Sequence, residues 1–194
     1  MSGAPTYTEA RDAVAKRLSA RSLGHCERVA QTAAELAARF GADVEHARLA
    51  GLLHDWGRDE GDSALLAAAL RYGIAVDDVD RAVPYLLHAE VSAAELGEAF
   101  PGLPTEVTDA VSCHTFGKVG MTALDKIVYI ADTIEPERDF PGVKDLRDMA
   151  RACDLEGLFV AVYARSLTWV IERRQPIHPG TAAVWNWIVT EARP

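Results

Sequence analysis

Apolar residues recur at intervals of three and four positions through most of the chain, and no convincing alternation of apolar and polar residues is found. Intervals of three and four place side chains on one face of a helix, whereas a half-buried strand requires alternation. The sequence therefore predicts an all-α protein, a helical bundle of about eight to ten helices.

Polar caps divide this pattern into helices. Thr6 with Glu9, and Thr122 with Asp125, have the spacing of a capping box, in which each side chain bonds to the backbone of the other residue. The predicted helices are one that begins at Thr6 and others over residues 22–40, 43–57, 63–72, 89–100, 105–115, 122–136, 143–152, 154–174 and 181–192. Residues 77–80 predict only a short turn before Pro84.

The composition is that of a globular protein, since 49% of the 194 residues are hydrophobic and 25% are charged. One substantial core is expected at this length, so we predict a single domain over residues 1–194. The 20 Lys and Arg against 29 Asp and Glu give a net charge of -9, which disfavours a nucleic-acid groove. A small phosphate ester is not excluded, because a bound metal ion reverses the local field.

The cysteine pattern and the charged N-terminal region indicate a compartment. Cys26, Cys113 and Cys153 are widely spaced without a CxxC pair, which argues against a disulfide framework or a thiolate zinc site. No apolar run reaches about eighteen residues, and the N-terminal region lacks the apolar segment of a signal peptide. We therefore expect a cytoplasmic protein with no membrane partner.

The candidate chemistry lies in histidines and aspartates on otherwise apolar helix faces. His25 and His114 each lie in such a stripe, and Asp132 lies on a helix where an unpaired buried carboxylate would be costly. His54 and Asp55 are adjacent at the end of an apolar run, so both reach one site only near the helix end. A single buried histidine is more often a hydrogen-bonded core residue, but this set together favours a metal site.

The order His25, His54-Asp55, Asp132 resembles that of the HD-domain phosphohydrolase superfamily, which consists of all-helical metal-dependent enzymes that cleave phosphate esters. Over about residues 18–187 the chain is similar to the YqeK family of symmetrical bis(5'-nucleosyl)-tetraphosphatases. The matching phrases are Gly51-Leu52-Leu53-His54-Asp55-Trp56, Leu86-Leu87-His88, His114-Thr115, residues 126–132, Ile134-Glu135-Pro136, residues 138–143 and Ile177-His178-Pro179.

The resemblance implies an HD-domain bundle with two divalent metal ions, iron first and otherwise Mn, Co or Zn. Imidazoles and carboxylates without thiolates suit these metals. The implied reaction is hydrolysis of diadenosine tetraphosphate to two ADP by attack of a metal-bridging hydroxide, with His54, Asp55 and Arg58 as catalytic residues. The implied ligands are His25, His54 and Asp132 on one ion, His88 and His114 on the other, and Asp55 as the bridge.

Cationic and polar residues near these ligands are expected to bind the substrate. Arg58 and Arg138 come first, because a guanidinium group binds two phosphate oxygens at once. Arg21 lies one turn before His25 on the same helix, and the segment with Gln175 and His178 is expected to close the site from the C-terminal side. Salt bridges to Asp or Glu are the alternative role for the three arginines. The expected contacts are Arg21, Arg58, His114, Arg138, Gln175 and His178.

Three residues depart from the family pattern without removing a ligand. Ala89 stands where glycine is expected, Phe116 where a second threonine is usual, and Arg58 where lysine is common. The first two change packing or loop shape beside the ligands. Arg58 replaces the compact ammonium group of lysine with a planar guanidinium group.

Two other functions stay open at this point. One is an HD-domain phosphohydrolase that acts on a nucleoside monophosphate or a cyclic nucleotide. The other is a non-catalytic nucleotide-binding HD module, which the complete set of six ligands disfavours. Cys26 and Cys113 are expected to be buried and unreactive. Trp169, Trp185 and Trp187 are expected to form core or dimer contacts, and the aromatic C-terminal helix suggests a homodimer.

Overall fold

The computed structural model describes residues 3–190, in which eleven α-helices and one short 3-10 helix account for the regular structure and no strand occurs. The all-α prediction is therefore confirmed. The helices are α1 Tyr7–Arg17, α2 Ala20–Phe40, α3 Val44–Leu53, α4 Asp62–Tyr72, α5 Asp78–Ala82, α6 His88–Ala99, α7 Thr105–Ser112, α8 Ala123–Ile134, α9 Val143–Ala152, α10 Leu155–Glu172 and α11 Pro179–Thr190, with the 3-10 helix at Pro84–Leu87.

The caps form where the sequence predicts them. The hydroxyl of Thr6 accepts a hydrogen bond from the backbone N–H of Glu9, whose carboxylate accepts one from the Thr6 N–H in return. Thr122 and Asp125 form the same box at the start of α8. Gly41 ends α2 in the left-handed conformation, with φ of 76°, which a residue with a side chain rarely adopts.

Residues 77–82 differ from the prediction, because they form helix α5 and not only a turn. Asp77 Oδ1 accepts the N–H groups of Val79 and Asp80, and Asp80 accepts the N–H of Asp77. This is a capping box with Asp in place of Glu, and it nucleates a single turn. The described chain thus has one α-helix more than the eight to ten that the sequence predicts.

Helix α2 lies at the centre of the bundle and packs against α3 and α8. Small residues allow close approach, because a β-carbon added to Gly51 in α3 would lie 2.8 Å from the Ala30 Cα in α2. Leu52 and Leu53 of α3 are fully buried in the same core. Each such leucine removed from water stabilises the fold by about 1.5–3 kcal/mol.

A smaller apolar cluster supports the 3-10 helix and the start of α6. Leu65 and Ala69 of α4 pack there against Leu87 and Val91. This contact holds the backbone at His88, the residue with which α6 begins. Within residues 3–190 no helix is both long enough and apolar enough to cross a membrane.

The Tyr163 hydroxyl joins α10 to two other parts of the chain. It lies 2.7 Å from the carbonyl oxygen of Phe116 and 3.2 Å from that of Thr181 in α11. Trp185 and Trp187 of α11 pack against the core as predicted. Trp169 of α10 is 44% exposed, so it lies outside the core, and the predicted alternative of a dimer contact stays a prediction.

Candidate metal centre and substrate cavity

The six predicted ligands come from different helix ends and helix faces, yet the structure brings all of them together. The centroid of the His54 ring lies 5.3 Å from that of His25 and 4.8 Å from that of His114. The ring centroids of His88 and His114 are 4.9 Å apart. The six are His25 in α2, His54 and Asp55 at the C-terminal end of α3, His88 at the start of α6, His114 just after α7 and Asp132 in α8.

The buried carboxylate of Asp55 lies between two pairs of histidines. Its Oδ2 is 3.6 Å from His25 Nε2 and 3.2 Å from His54 Nε2. Its Oδ1 is 3.2 Å from His88 Nε2 and 3.5 Å from His114 Nε2. One oxygen therefore faces each pair, which is the arrangement that a bridging carboxylate would have.

Asp132 joins the first of these pairs. Its Oδ1 lies 2.9 Å from His25 Nε2 and 3.7 Å from His54 Nε2. The side chain is 21% exposed, so Asp132 lies where the centre opens to solvent. The centre thus has one group of two histidines with Asp132, a second group of two histidines, and Asp55 between the two groups.

Each of the four imidazoles is held by a hydrogen bond at Nδ1. Three of the acceptors are carbonyl oxygens, which cannot donate, so Nδ1 carries the hydrogen and Nε2 presents a lone pair to the centre. Outer partners of this kind fix the ring orientation of metal-binding histidines. The Nδ1 contacts are His54 to Gly51 O at 2.8 Å, His88 to Tyr85 O at 2.6 Å, His114 to Val111 O at 2.7 Å and His25 to Glu135 Oε1 at 3.2 Å.

The inward-facing atoms fit a divalent metal ion. His54 Nε2 and Asp55 Oδ1 are buried without a hydrogen-bond partner. The Nε2 atoms of His88 and His114 lie 3.0 Å apart, and in the tautomer fixed by their Nδ1 contacts both are acceptors. Lone pairs directed at one another and at carboxylates repel unless a cation lies among them. Nitrogen and oxygen donors of this type suit Fe, Mn, Co or Zn.

Both carboxylates stay ionised despite their surroundings. Burial alone raises the pKa of Asp55, but the surrounding imidazoles, His54 first, hold this pKa well below the ordinary value for aspartate. Burial likewise opposes ionisation of Asp132, and its contacts with His25 and Arg138 lower its pKa further than burial raises it. The centre therefore carries negative charge that nearby cations must balance.

Arg58 and Arg138 supply part of that balance. Arg58 Nη1 lies 2.7 Å from Asp55 Oδ2, and its guanidinium carbon lies 5.7 Å from the centre of the Tyr85 ring. Arg138 donates to Asp132 Oδ1 and to the Asp132 carbonyl oxygen. Both arginines thus contact predicted ligands directly, and about a third of each side chain is exposed.

Glu135 is a functional candidate that the sequence interpretation did not single out. Only 2% of it is exposed, and its Oε2 accepts hydrogen bonds from Arg28 Nε at 2.7 Å and from the backbone N–H of Glu137 at 2.8 Å. Glu135 orients His25, a predicted ligand, because its Oε1 lies 3.2 Å from His25 Nδ1. Its position one turn after Asp132 on a buried helix face was the available signal.

A cavity of about 660 Å³ opens beside the centre. His88, His114 and Asp132 line it at one side. Thr115 also lines it, with its Oγ1 buried and without a hydrogen-bond partner. The remaining wall includes two carboxylates, Glu137 and Asp139, but four arginines and four aromatic residues form much of it: Arg58, Arg138, Arg165, Arg173, Tyr85, Tyr129, Phe140 and Trp169. This volume and lining are typical of a small-molecule site.

Two of the predicted substrate contacts, Arg21 and Gln175, lie outside this cavity, and their contact with the substrate stays a prediction. Arg21 is exposed in the first turn of α2, which begins at Ala20. Gln175 is also exposed, because the chain turns after α10 through Arg174, whose φ is 54°. Neither residue lines the cavity.

His178 lines a neighbouring cavity of about 340 Å³, where it stacks on Phe116 at 4.0 Å between ring centroids. Its Nδ1 accepts the backbone N–H of Gly180, so Nε2 carries the hydrogen. That Nε2 lies 3.5 Å from Asp77 and 3.4 Å from Asp80. This tautomer is opposite to that of the ligand histidines, so the cluster suits a hydrogen bond and not a metal ion.

The departures from the family pattern are accommodated locally. Ala89 is fully buried beside His88, and Phe116 forms the stack with His178. Cys26 and Cys113 are buried, which confirms that they are small core residues. Burial raises the pKa of Cys113 to about 12.

Comparisons with known proteins agree with this architecture. The HD domain profile matches residues 22–137. Symmetrical bis(5'-nucleosyl)-tetraphosphatases from Bacillus subtilis and Halalkalibacterium halodurans are each 33% identical, over 182 and 180 residues, and the matches cover 94% and 93% of this chain and 97% and 95% of the relatives. The corresponding protein of Staphylococcus aureus is 31% identical over 179 residues, with 89% of this chain and 92% of the relative covered.

A solved structure shares the whole fold. It is a predicted HD superfamily hydrolase involved in NAD metabolism from Clostridium acetobutylicum, with a TM-score of 0.89 and 30% sequence identity over 97% of this chain and 99% of that one. The resemblance seen in the sequence motifs is thus confirmed by identity across nearly the full length. The chain belongs to the HD-domain family, in the YqeK-type branch that the three phosphatases represent.

Proposed function

We propose that this protein is a metal-dependent hydrolase that cleaves diadenosine tetraphosphate symmetrically into two ADP. The observation that carries the proposal is the position of Asp55, with one carboxylate oxygen facing each of two histidine pairs whose Nε2 lone pairs point inward. The relatives that share about a third of the sequence bear the name of this activity.

The proposed ligands form two groups around Asp55. His25, His54 and Asp132 would hold one divalent ion, and His88 with His114 would hold the other. Iron is the proposed metal, with Mn, Co or Zn as alternatives that the same donor set accepts. When bound, such ions supply a water of lowered pKa and positive charge for the phosphoryl oxygens.

The chain itself supplies orientation and charge at the reacting phosphate. Arg58 and Arg138 line the cavity beside Asp55 and Asp132, where their guanidinium groups can bind phosphate oxygens in a bidentate manner. Thr115 lines the same cavity, with a buried hydroxyl that has no hydrogen-bond partner. Fixed donors in a partly buried cavity stabilise developing negative charge more strongly than water does.

Symmetrical cleavage requires the reacting centre to lie at the middle of the tetraphosphate. Water adds to one of the two inner phosphorus atoms, and the bond from that atom to the central bridging oxygen breaks. The bridging oxygen leaves with the other half, so each product is ADP. In support of this placement, the predicted ligands His88, His114 and Asp132 line the same cavity as the four arginines.

The test is to incubate the protein, loaded with Fe(II) under reducing conditions, with diadenosine tetraphosphate and to separate the products by chromatography. ADP as the sole product is expected. AMP together with ATP would contradict symmetrical cleavage, and no turnover would reject this substrate in favour of nucleoside monophosphates or cyclic nucleotides.

A matched variant tests the role of Asp55. Asp55→Ala is expected to abolish turnover while the circular dichroism spectrum keeps its helical form, because the other ligands and the core remain. Retained turnover would contradict the bridging role.

His178→Ala tests whether this residue binds substrate from its own cavity, and an unchanged KM would contradict that contact.

Three further expectations from the sequence stay predictions. They are a single domain over residues 1–194, a cytoplasmic location and a homodimer. Size-exclusion chromatography with light scattering measures the last of these directly.

A further inference from the structure

One face of α10 presents a regular series of side chains to the large cavity. Arg165, Trp169 and Arg173 are spaced by four residues, which places them on one side of the helix. All three line the cavity, as do Ser166 and Val170 beside them. We refer to Arg165, Trp169 and Arg173 as the α10 stripe.

The two cations of this stripe differ from Arg58 and Arg138. Those two contact the carboxylates of the metal centre, whereas among residues 3–190 no carboxylate lies within 4.0 Å of Arg173. Arg165 has one ion pair, from Nη1 to Glu172 at 3.3 Å, and its buried Nε has no hydrogen-bond partner. The stripe therefore offers positive charge that the centre does not use.

The indole of Trp169 is equally available. It is 44% exposed at the cavity wall, and the Arg173 guanidinium carbon lies 5.2 Å from the centre of its ring. Phe140 also lines the wall, and its ring centre is 5.9 Å from the Arg165 guanidinium carbon. An exposed aromatic ring between two arginines has the components that bind a nucleotide, with a surface for the base and cations for phosphate.

We propose that the α10 stripe is the subsite for one outer nucleoside phosphate of the substrate. The base stacks on Trp169, and Arg165 and Arg173 bind phosphate oxygens away from the reacting centre. This inference rests on the proposed function, because it assigns one end of the dinucleoside tetraphosphate to α10. Stacking uses the face of a base and not its edge, so the stripe accepts any purine nucleotide.

The subsite gives the enzyme a way to select long substrates. A nucleotide end held at α10 orients the tetraphosphate so that its central part reaches the ligand histidines. Losing such a contact weakens binding and leaves the chemistry at the centre intact. A change in the α10 stripe should therefore appear in KM and in product affinity, with kcat preserved.

The experiment compares Trp169→Ala, Trp169→Phe and Arg173→Ala with wild type. We expect Trp169→Ala to raise KM for diadenosine tetraphosphate about tenfold. Trp169→Phe should keep KM close to the wild-type value, because Phe retains an aromatic face. Arg173→Ala should also raise KM. Arg151→Ala removes an exposed arginine from the surface of α9 and is expected to leave KM unchanged.

Calorimetric titration of the metal-loaded protein with ADP gives a readout that does not need turnover. Weaker ADP binding in Trp169→Ala supports the subsite, and unchanged ADP affinity together with unchanged KM overturns it. A change of oligomeric state in Trp169→Ala without loss of ADP affinity also overturns it, because Trp169 would then be a subunit contact. If wild type formed no ADP from the substrate, the proposed function would fail, and the ADP titration would still decide the subsite.

Discussion

Gly51 in α3 lies so close to Ala30 in α2 that a β-carbon on Gly51 would meet the Ala30 Cα at 2.8 Å and the Ala30 nitrogen at 2.9 Å. Both contacts are with backbone atoms, which cannot rotate away. The carbonyl oxygen of Gly51 also accepts the Nδ1 hydrogen of His54. This close contact between α2 and α3 and the orientation of a predicted ligand thus depend on the same residue.

Gly51→Ala should therefore destabilise the protein and weaken metal binding together. We expect the free energy of unfolding to fall by about 1–3 kcal/mol, because the cost of overpacking the core exceeds the gain in helix propensity from Gly to Ala. Urea unfolding and metal content after dialysis are the measurements. Gly97→Ala is the matched control, since nothing lies within 4 Å of its added β-carbon, and it should be neutral or stabilising. Equal stability of Gly51→Ala and wild type would contradict the close contact.

Glu135 orients His25 through a contact of 3.2 Å between Oε1 and Nδ1. Glu135→Gln keeps the shape but loses the charge and one acceptor oxygen. We expect metal affinity to fall about 10–100-fold, as is typical when the outer partner of a ligand histidine is changed. Competition with a chelator followed by metal analysis measures this affinity.

Glu137→Gln separates this effect from a general loss of negative charge. Glu137 is 70% exposed and pairs with Arg28 at 3.0 Å, but it has no contact with His25. Its substitution should leave metal affinity unchanged. If both variants lost metal equally, the specific contact between Glu135 and His25 would have no role in binding.

The predicted ligands could be found from the sequence because their residue types are rare on apolar faces. His25 and Asp132 lie on buried helix stripes, where periodicity predicts the direction of each side chain. Helix ends were less predictable. Helix α7 ends at Ser112 and not at residue 115, so His114 reaches the centre from a turn.

Residues whose role depends on tertiary contacts were harder to assign. Arg21 shares a helix with His25, but it is exposed in the first turn of α2 and does not line the cavity. The α10 stripe has helical spacing that the sequence displays, yet only the fold shows that this face of α10 borders the cavity. Spacing along one helix predicts a shared face and does not predict what lies opposite that face.

The three cysteines should differ sharply in reactivity. Cys26 and Cys113 are buried, and burial raises both thiol pKa values, whereas Cys153 is partly exposed. We expect one thiol per chain to react with a disulfide reagent at pH 8 in the native protein and three in denaturant, because the thiolate is the reactive form. Cys153→Ser should remove the native reaction. Rapid reaction of any thiol in native Cys153→Ser would contradict the burial of Cys26 and Cys113.

Tyr163 provides a prediction on stability and its pH dependence. Its hydroxyl lies within hydrogen-bonding distance of the Phe116 and Thr181 carbonyl oxygens, so Tyr163→Phe leaves two acceptors without that donor. We expect the free energy of unfolding of Tyr163→Phe, measured with urea at pH 7, to be about 1–3 kcal/mol lower than that of wild type. Tyr72→Phe removes a hydroxyl that bonds to Glu98 on the surface and should cost less than about 0.5 kcal/mol.

The difference between wild type and Tyr163→Phe should shrink at alkaline pH. Burial raises the pKa of Tyr163 above its ordinary value of 10.0, so the folded state keeps the phenol proton that the unfolded state releases above that pH. The stabilisation is therefore complete below about pH 10 and declines by about 1.4 kcal/mol per pH unit above it. Urea unfolding at pH 9 and pH 11 measures this decline. A difference between the two proteins that stays constant across this range would show that the Tyr163 hydroxyl ionises as readily in the folded state as in the unfolded one.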